Sequence, residues 1–372
     1  MYLQKLQLNQ FKNCETAELL FSDKINCFVG NNGEGKTNIL DAIYYLSFCK
    51  SYFNAIDQQN IMHGTDYFTI SGIYLRNLNQ PDLVSCVQKK NTKKSFRFNK
   101  KEYDRLADHI GKFPLVMISP YDRDLINEGS DVRRKFIDGV ISQFDPIYLD
   151  ELIIYNKALL QRNTLLKQFA ENRYFDAMLL GVWDDQLVRS GTVIFEKRKA
   201  FLALFAPLFV HYYSIVTRNC EAVEIQYESA LHENSLDQLL HQNIEIDCNA
   251  RYTTSGIHKD DLLFLIKNFP LKRFGSQGQQ KSFVIAIKLA QFDFTQKVMG
   301  YKPILLFDDI FDKLDDNRVA QLIELVGNDN FGQVFITDTQ LQRIELLFNN
   351  STIQHKIFEV VSGHISENIS ES

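Results

Sequence analysis

The chain has 372 residues, of which 45% are hydrophobic, and a formal net charge of -5. That length and apolar content predict one large or two ordinary domains with a sizeable core, while the slight acidity excludes a uniformly basic nucleic-acid coat and leaves any DNA contact to a local patch. The six cysteines (Cys14, Cys27, Cys49, Cys86, Cys220 and Cys248) form no Cys-x-x-Cys pair, so a zinc site or disulfide framework is not expected and reduced thiols in a cytoplasmic protein are; neither a membrane-spanning apolar run nor a secretion signal is expected either.

From Met1 to about Val87 the pattern is β-rich. Leu6 and Leu8 alternate with Gln7 and Asn9, Tyr67 to Leu75 is rich in aromatic and β-branched residues, and Leu83 to Val87 follows Pro81. Inside this region Ile25 to Val29 reads as a short buried strand, and the stretch after it carries Ile39, Ile43 and Leu46 at helical spacing. Between them lies Gly30-Asn31-Asn32-Gly33-Glu34-Gly35-Lys36-Thr37-Asn38, which has two glycines separated by four residues and followed by Lys and Thr. This is the phosphate-loop pattern, in the strand-turn-helix context it requires. Glycines let consecutive N–H groups converge on phosphate oxygens, and the helix N-terminus adds partial positive charge. Gly30 to Asn38 are therefore the expected ATP-binding set, with Lys36 reaching the terminal phosphates and Thr37 holding Mg2+.

Lys89, Lys90, Lys93, Lys94, Arg97, Lys100 and Lys101 follow with no acid among them, interleaved with Phe96 and Phe98. On a β-hairpin turning near Asn91-Thr92 or Asn99-Lys100 they make a positive strip, serving either as a DNA-backbone contact or as lysines that guard a sheet edge. Alternation puts Phe96 and Phe98 on the core side, opposite Arg97. Leu115 to Ile118 is a further buried strand, stopped at Pro120. From Asp131 to Val216 the pattern turns helical: Leu152, Leu159 and Leu166 share one face, and Leu187, Ile194, Phe201 and Leu208 another, which predicts a helical hairpin too short for a dimerising coiled coil. Asn219 to Ile246 has no assignable pattern. Arg251 to Leu262 reads as a loop entering a strand.

Phe274-Gly275-Ser276-Gln277-Gly278-Gln279-Gln280 precedes a helical segment, with Ser276 a natural N-cap. Pro303 to Phe307 is an apolar strand ending in Asp308 and Asp309, a Walker B pattern. There Asp308 would accept Mg2+ and Asp309 would orient or deprotonate the attacking water. The polar tail after Ser362 is expected to fray.

A phosphate loop, then Ser276-Gln277-Gly278-Gln279, then the Walker B strand resembles the order found in ABC-type ATPases. The resemblance implies that Ser276, Gly278 and Gln279 would face the γ-phosphate of a nucleotide held by a second copy. With Leu8 to Asn13, Gly129 to Asp138 and Gly256-Ile257-His258-Lys259-Asp260-Asp261-Leu262 added, the chain resembles the RecF family of bacterial recombination and repair proteins. That implies an α/β, SMC-like ATPase head without a long coiled coil. The expected ATPase lobe is residues 1–120 and 290–372, and a mainly helical lobe of residues 121–289 is inserted in it. The resemblance also implies ATP and Mg2+ as cofactors, slow hydrolysis, a homodimer formed on ATP, binding to gapped duplex DNA, and RecR and RecO as partners in loading RecA. Lys12 and Lys259 stand where the family usually has Arg, Ile257 where it has Pro, Asp41 where it has Glu, and Lys313 where it has Glu. A structural SMC-type tether would need long heptad tracts, and a transporter ATPase a Leu-Ser-Gly-Gly-Gln signature; the sequence has neither.

Overall fold

A computed structural model describes residues 1–76, 80–218, 221–310, 331–348 and 354–368; Cys220 and the stretch from Phe311 to Asp315, with Lys313, lie outside them. The chain divides into two compact units, Met1–Asp122 with Ile285–Ser372, and Arg123–Val284.

In the first unit the alternating N-terminal segments pair as an antiparallel sheet, in the order Cys14–Leu20, Tyr2–Phe11, Tyr67–Leu75, Pro81–Lys89, Ser95–Phe98, Lys101–Glu102. Tyr67–Leu75 alternates half-buried and buried residues along its whole length, as a sheet with one face on the core requires. The second sheet runs His364–Glu367, His355–Val361, Ile25–Val29, Val334–Asp338, Ile304–Phe307, Leu115–Ile118, and every neighbouring pair but the first is parallel. Four of its strands, Ile25–Val29, Val334–Asp338, Ile304–Phe307 and, at the edge, Leu115–Ile118, have no exposed residue. Burial on both faces is why they read as nearly unbroken apolar runs.

Helix Lys36–Phe48 is buried on almost every side because it lies in one apolar cluster with both sheets. Ile39, Ile43 and Leu46 share that cluster with Leu6 and Phe68 of the first sheet and Leu306 and Phe335 of the second. Each such side chain, fully buried, contributes about 1.5–3 kcal/mol. The tail does not fray at Ser362: the chain turns at Ser362-Gly363, where Gly363 has φ +82, and His364–Glu367 pairs antiparallel with His355–Val361.

In the second unit, Pro146–Asn172 and Ala177–Thr217 form the helical hairpin, each N-capped by an aspartate, Asp145 and Asp176. The seam buries Leu166, Leu187, Ile194 and Phe201, as apolar spacing predicts, and departs from that pattern elsewhere. Leu152, Leu159 and Leu208 are only half-buried, whereas Tyr148, Tyr155 and two arginines, Arg162 and Arg198, are fully enclosed. Arg162 pairs with Asp184 and Asp247, and Arg198 with Asp138 and Asp260. Removing one member of such a buried pair costs about 3–5 kcal/mol. A further difference is that Ala177–Thr217 contains an 18-residue window of mean hydropathy 1.6, long and apolar enough to cross a bilayer by composition alone. Phe201, Phe205, Phe209 and Tyr213 recur in that window every fourth residue and are buried, so its apolar face is spent on the core of the unit.

The segment without an assignable pattern holds strand Val223–Glu228 and helix Leu236–Gln242, the latter opened by a Ser235/Gln238 capping box. Val223–Glu228 pairs with Asp261–Ile266. Two sequence motifs meet there: Arg133 grips Asp261 through two hydrogen bonds, 2.6 and 2.9 Å, and Arg134 donates to the Asp260 carbonyl at 2.6 Å.

Candidate nucleotide site

The parallel strands of the first unit finish in register, with Val29 beside Asp338 and Phe307 beside Ile118 and Ile336. Their carboxyl ends open the crevice in which α/β sheets take ligands. Gly30 leaves the first of these strands with its N–H donated to the Asp338 carbonyl at 3.3 Å. A Cβ on Gly30 would lie 2.2 Å from the Val360 carbonyl oxygen, so no larger residue fits. Gly35 caps the following helix at φ +110, a conformation that side-chain-bearing residues avoid. Lys36 is buried and arches over the loop, its Nζ donating to the carbonyls of Gly30 (2.6 Å) and Asn31 (2.8 Å).

Thr37 and Asp308, 271 residues apart, are joined: Thr37 Oγ1 donates to Asp308 Oδ1 at 2.8 Å. Thr337 Oγ1 donates to the same oxygen at 3.0 Å and accepts the Asp309 N–H at 2.8 Å. Burial raises the Asp308 carboxyl above the usual range, and the two hydroxyls partly offset the rise. Asp309 follows at φ +47, an uncommon conformation that aspartate tolerates better than most residues. Thr37, Asn38, Asp308 and Asp309 line one side of a cleft of about 850 Å3, and Lys12, Asn13, Phe53, Ile61, Met62 and His63 are also in its wall. The apolar part suits a flat base, and the hydroxyl and carboxylate are the hard oxygens that Mg2+ prefers. No group of three His, Cys, Asp or Glu suited to a metal occurs among the described residues, so a divalent ion here would depend on phosphate oxygens for further ligands.

Sequence reasoning missed Thr337 and the Phe53, Ile61, Met62 and His63 part of the cleft wall, because none lies in a contiguous motif. Glu34, assigned to the nucleotide as part of the loop, has its carboxylate accepting the Ser362 N–H. Lys12 and Asp41, two departures from the family pattern, meet as an ion pair of 2.6 Å, with the Asp41 side chain fully buried. Lys259 is exposed, its ammonium 5.0 Å from the centre of the Tyr252 ring.

Ser276 is exposed and forms a capping box at the start of helix Gln277–Met299: its Oγ accepts the Gln279 N–H at 3.2 Å, and Gln279 Oε1 accepts the Ser276 N–H at 2.8 Å. Gln279 Nε2 is engaged with Glu221 at 3.1 Å.

The basic strip occupies the edge of the antiparallel sheet, turning at Asn91 and again at Asn99-Lys100, all at positive φ. Phe96 is buried and Arg97 exposed. Lys89, Lys93, Lys100 and Lys101 are exposed, Lys90 pairs with Asp66, and Arg97 pairs with Glu102. Lys94 does not belong to the strip. Its Nζ points inward, 2.6 Å from both Asp57 Oδ2 and the Cys49 carbonyl, beside the Tyr45 ring.

Phosphate loop, paired aspartates and mixed sheet together define an ABC-type P-loop ATPase head of the SMC kind. The profile described as RecF/RecN/SMC N terminal domain matches residues 2–357. The DNA replication and repair protein RecF of Flavobacterium johnsoniae is 52% identical over 360 residues, covering 97% of this chain and 100% of its own. That of Phocaeicola vulgatus is 49% identical over 368 residues, covering 99% and 98%. A solved structure of the recombination mediator protein RecF with ATP, in the RecFOR pathway, superposes with a TM-score of 0.89 at 26% identity, covering 99% of this chain and 97% of that one. The chain belongs to the RecF family.

Proposed function

We propose that the chain is an ATP-gated DNA-binding switch of replication and recombinational repair. The observation that carries this is the convergence of Thr37 and Asp308 at the head of the cleft, beside Lys36. In this function the loop N–H groups and Lys36 hold the ATP phosphates. Thr37 and Asp308 hold Mg2+, which when bound neutralises phosphate charge. Asp309 orients or deprotonates the attacking water, and hydrolysis is slow. Ser276, Gly278 and Gln279 present a hydroxyl, N–H groups and a helix dipole to the nucleotide of a second copy, so that ATP closes a homodimer. Lys89, Lys90, Lys93, Arg97, Lys100 and Lys101 track the DNA backbone at single-strand gaps, where the dimer assists RecR and RecO in loading RecA. Family membership supports the repair role, and the RecF structure solved with ATP supports the cofactor. Sedimentation with and without ATP on gapped duplex tests it: a dimer on DNA only with ATP is expected, and a species indifferent to ATP would overturn it.

A further inference from the structure

Glu34 sits in the phosphate loop, where a carboxylate free to swing would oppose a triphosphate. The fold holds it elsewhere. Its carbonyl accepts two hydrogen bonds, from Asn13 Nδ2 at 2.9 Å and from the Gly363 N–H at 2.9 Å, and its carboxylate accepts the Ser362 N–H. Asn13 also accepts from Asn38 Nδ2 at 2.7 Å, so one side chain ties the loop to the start of its helix. Gly363 is specified twice. Its φ is +82, and a Cβ there would lie 2.2 Å from the Asn13 carbonyl oxygen. At the other end of the loop, Gly30 meets Val360 of the same C-terminal hairpin just as closely.

We infer that the Ser362-Gly363 turn and Asn13 are positioning residues of the nucleotide site: they fix the Glu34 peptide in the phosphate-binding conformation and hold its carboxylate away from the phosphates. This rests on the proposed ATP binding. Loss of the two hydrogen bonds to the Glu34 carbonyl, together with release of the carboxylate, sets the scale at about a tenfold loss of affinity. The test is fluorescent-ATP titration of wild type, Gly363→Ala, Asn13→Ala, and Gly363→Ala combined with Glu34→Gln, with thermal melting of each protein without nucleotide. Gly363→Ala is expected to bind about tenfold more weakly, and the Glu34→Gln combination to recover a good part of the loss, which a purely structural role of the turn would not produce. Should Gly363→Ala fail to fold, Asn13→Ala decides, since it adds no atoms. A folded Gly363→Ala or Asn13→Ala protein with wild-type affinity overturns the inference, as does a double variant no better than the single one. Wild-type protein that binds no ATP would instead overturn the proposed function.

Discussion

Asp309 and Asp308 are adjacent, yet their surroundings give them different work. Asp309 lines the cleft at φ +47, and asparagine adopts that conformation as readily as aspartate. Asp309→Asn is therefore expected to keep ATP binding while turnover falls by about 100-fold or more; wild-type phosphate release from the variant would remove Asp309 from the chemistry. Lys36→Ala should lose nucleotide binding itself, read by the same titration. Asp308 has a raised carboxyl because burial penalises its charge. Between the unfolded value of about 3.9 and the higher folded value, the native state holds a proton that the unfolded chain has lost, so this group's contribution to stability falls as pH rises through that window. Asp308→Asn keeps acceptors for Thr37 and Thr337 but removes the charge. Melting above the window should show the nucleotide-free variant at least as stable as wild type, with the extra stabilisation by Mg2+ and ATP lost. A clear drop in nucleotide-free melting temperature would contradict this.

At the scale of elements, the edge hairpin separates lysines that the sequence cannot tell apart. The sequence offered Asn91-Thr92 or Asn99-Lys100 for one turn, and the chain turns at both; the inward Phe96 was legible from strict alternation. Lys94 was not, because what turns it inward is Asp57 and the Cys49 carbonyl, more than thirty residues away. Changing Lys93 and Lys101 to Glu should weaken binding to all duplex sequences alike and make the log-log salt slope shallower by roughly two units, one for each phosphate that is no longer neutralised. An unchanged slope in a salt titration would leave these lysines as edge protection alone. Lys94→Glu would fail differently, by breaking an inward ion pair. The helical hairpin teaches the same lesson. Apolar spacing found the two helices and four buried residues of the seam, Leu166, Leu187, Ile194 and Phe201, but not Arg162 and Arg198, which are core residues by virtue of Asp184, Asp247, Asp138 and Asp260.

For the whole molecule, local motifs sufficed for the phosphate loop, the Walker B strand and the N-cap at Ser276, since each is written in contiguous residues. What contiguous residues cannot show is which strands become neighbours, so Thr337 and the Ser362-Gly363 turn escaped notice. The proposed dimer gives Ser276 its sharpest test. Ser276→Arg forfeits a cap of about 1 kcal/mol but lies on an exposed helix start, so monomer ATP affinity should persist while the ATP-dependent dimer disappears in sedimentation. A retained dimer peak would exclude a composite site.

Ile25–Val29 stands between Val334–Asp338 and His355–Val361, and this placement has a cost during synthesis. At about 5–20 residues per second, a ribosome that has made the first of these strands needs about 15–60 s more before either neighbour exists. Through that interval a mostly apolar strand and its glycine loop lack both parallel neighbours, which makes the nascent chain a natural client for chaperones. A message truncated before the last hairpin would yield a product without the strand beside Ile25–Val29 and without the turn that holds the Glu34 peptide.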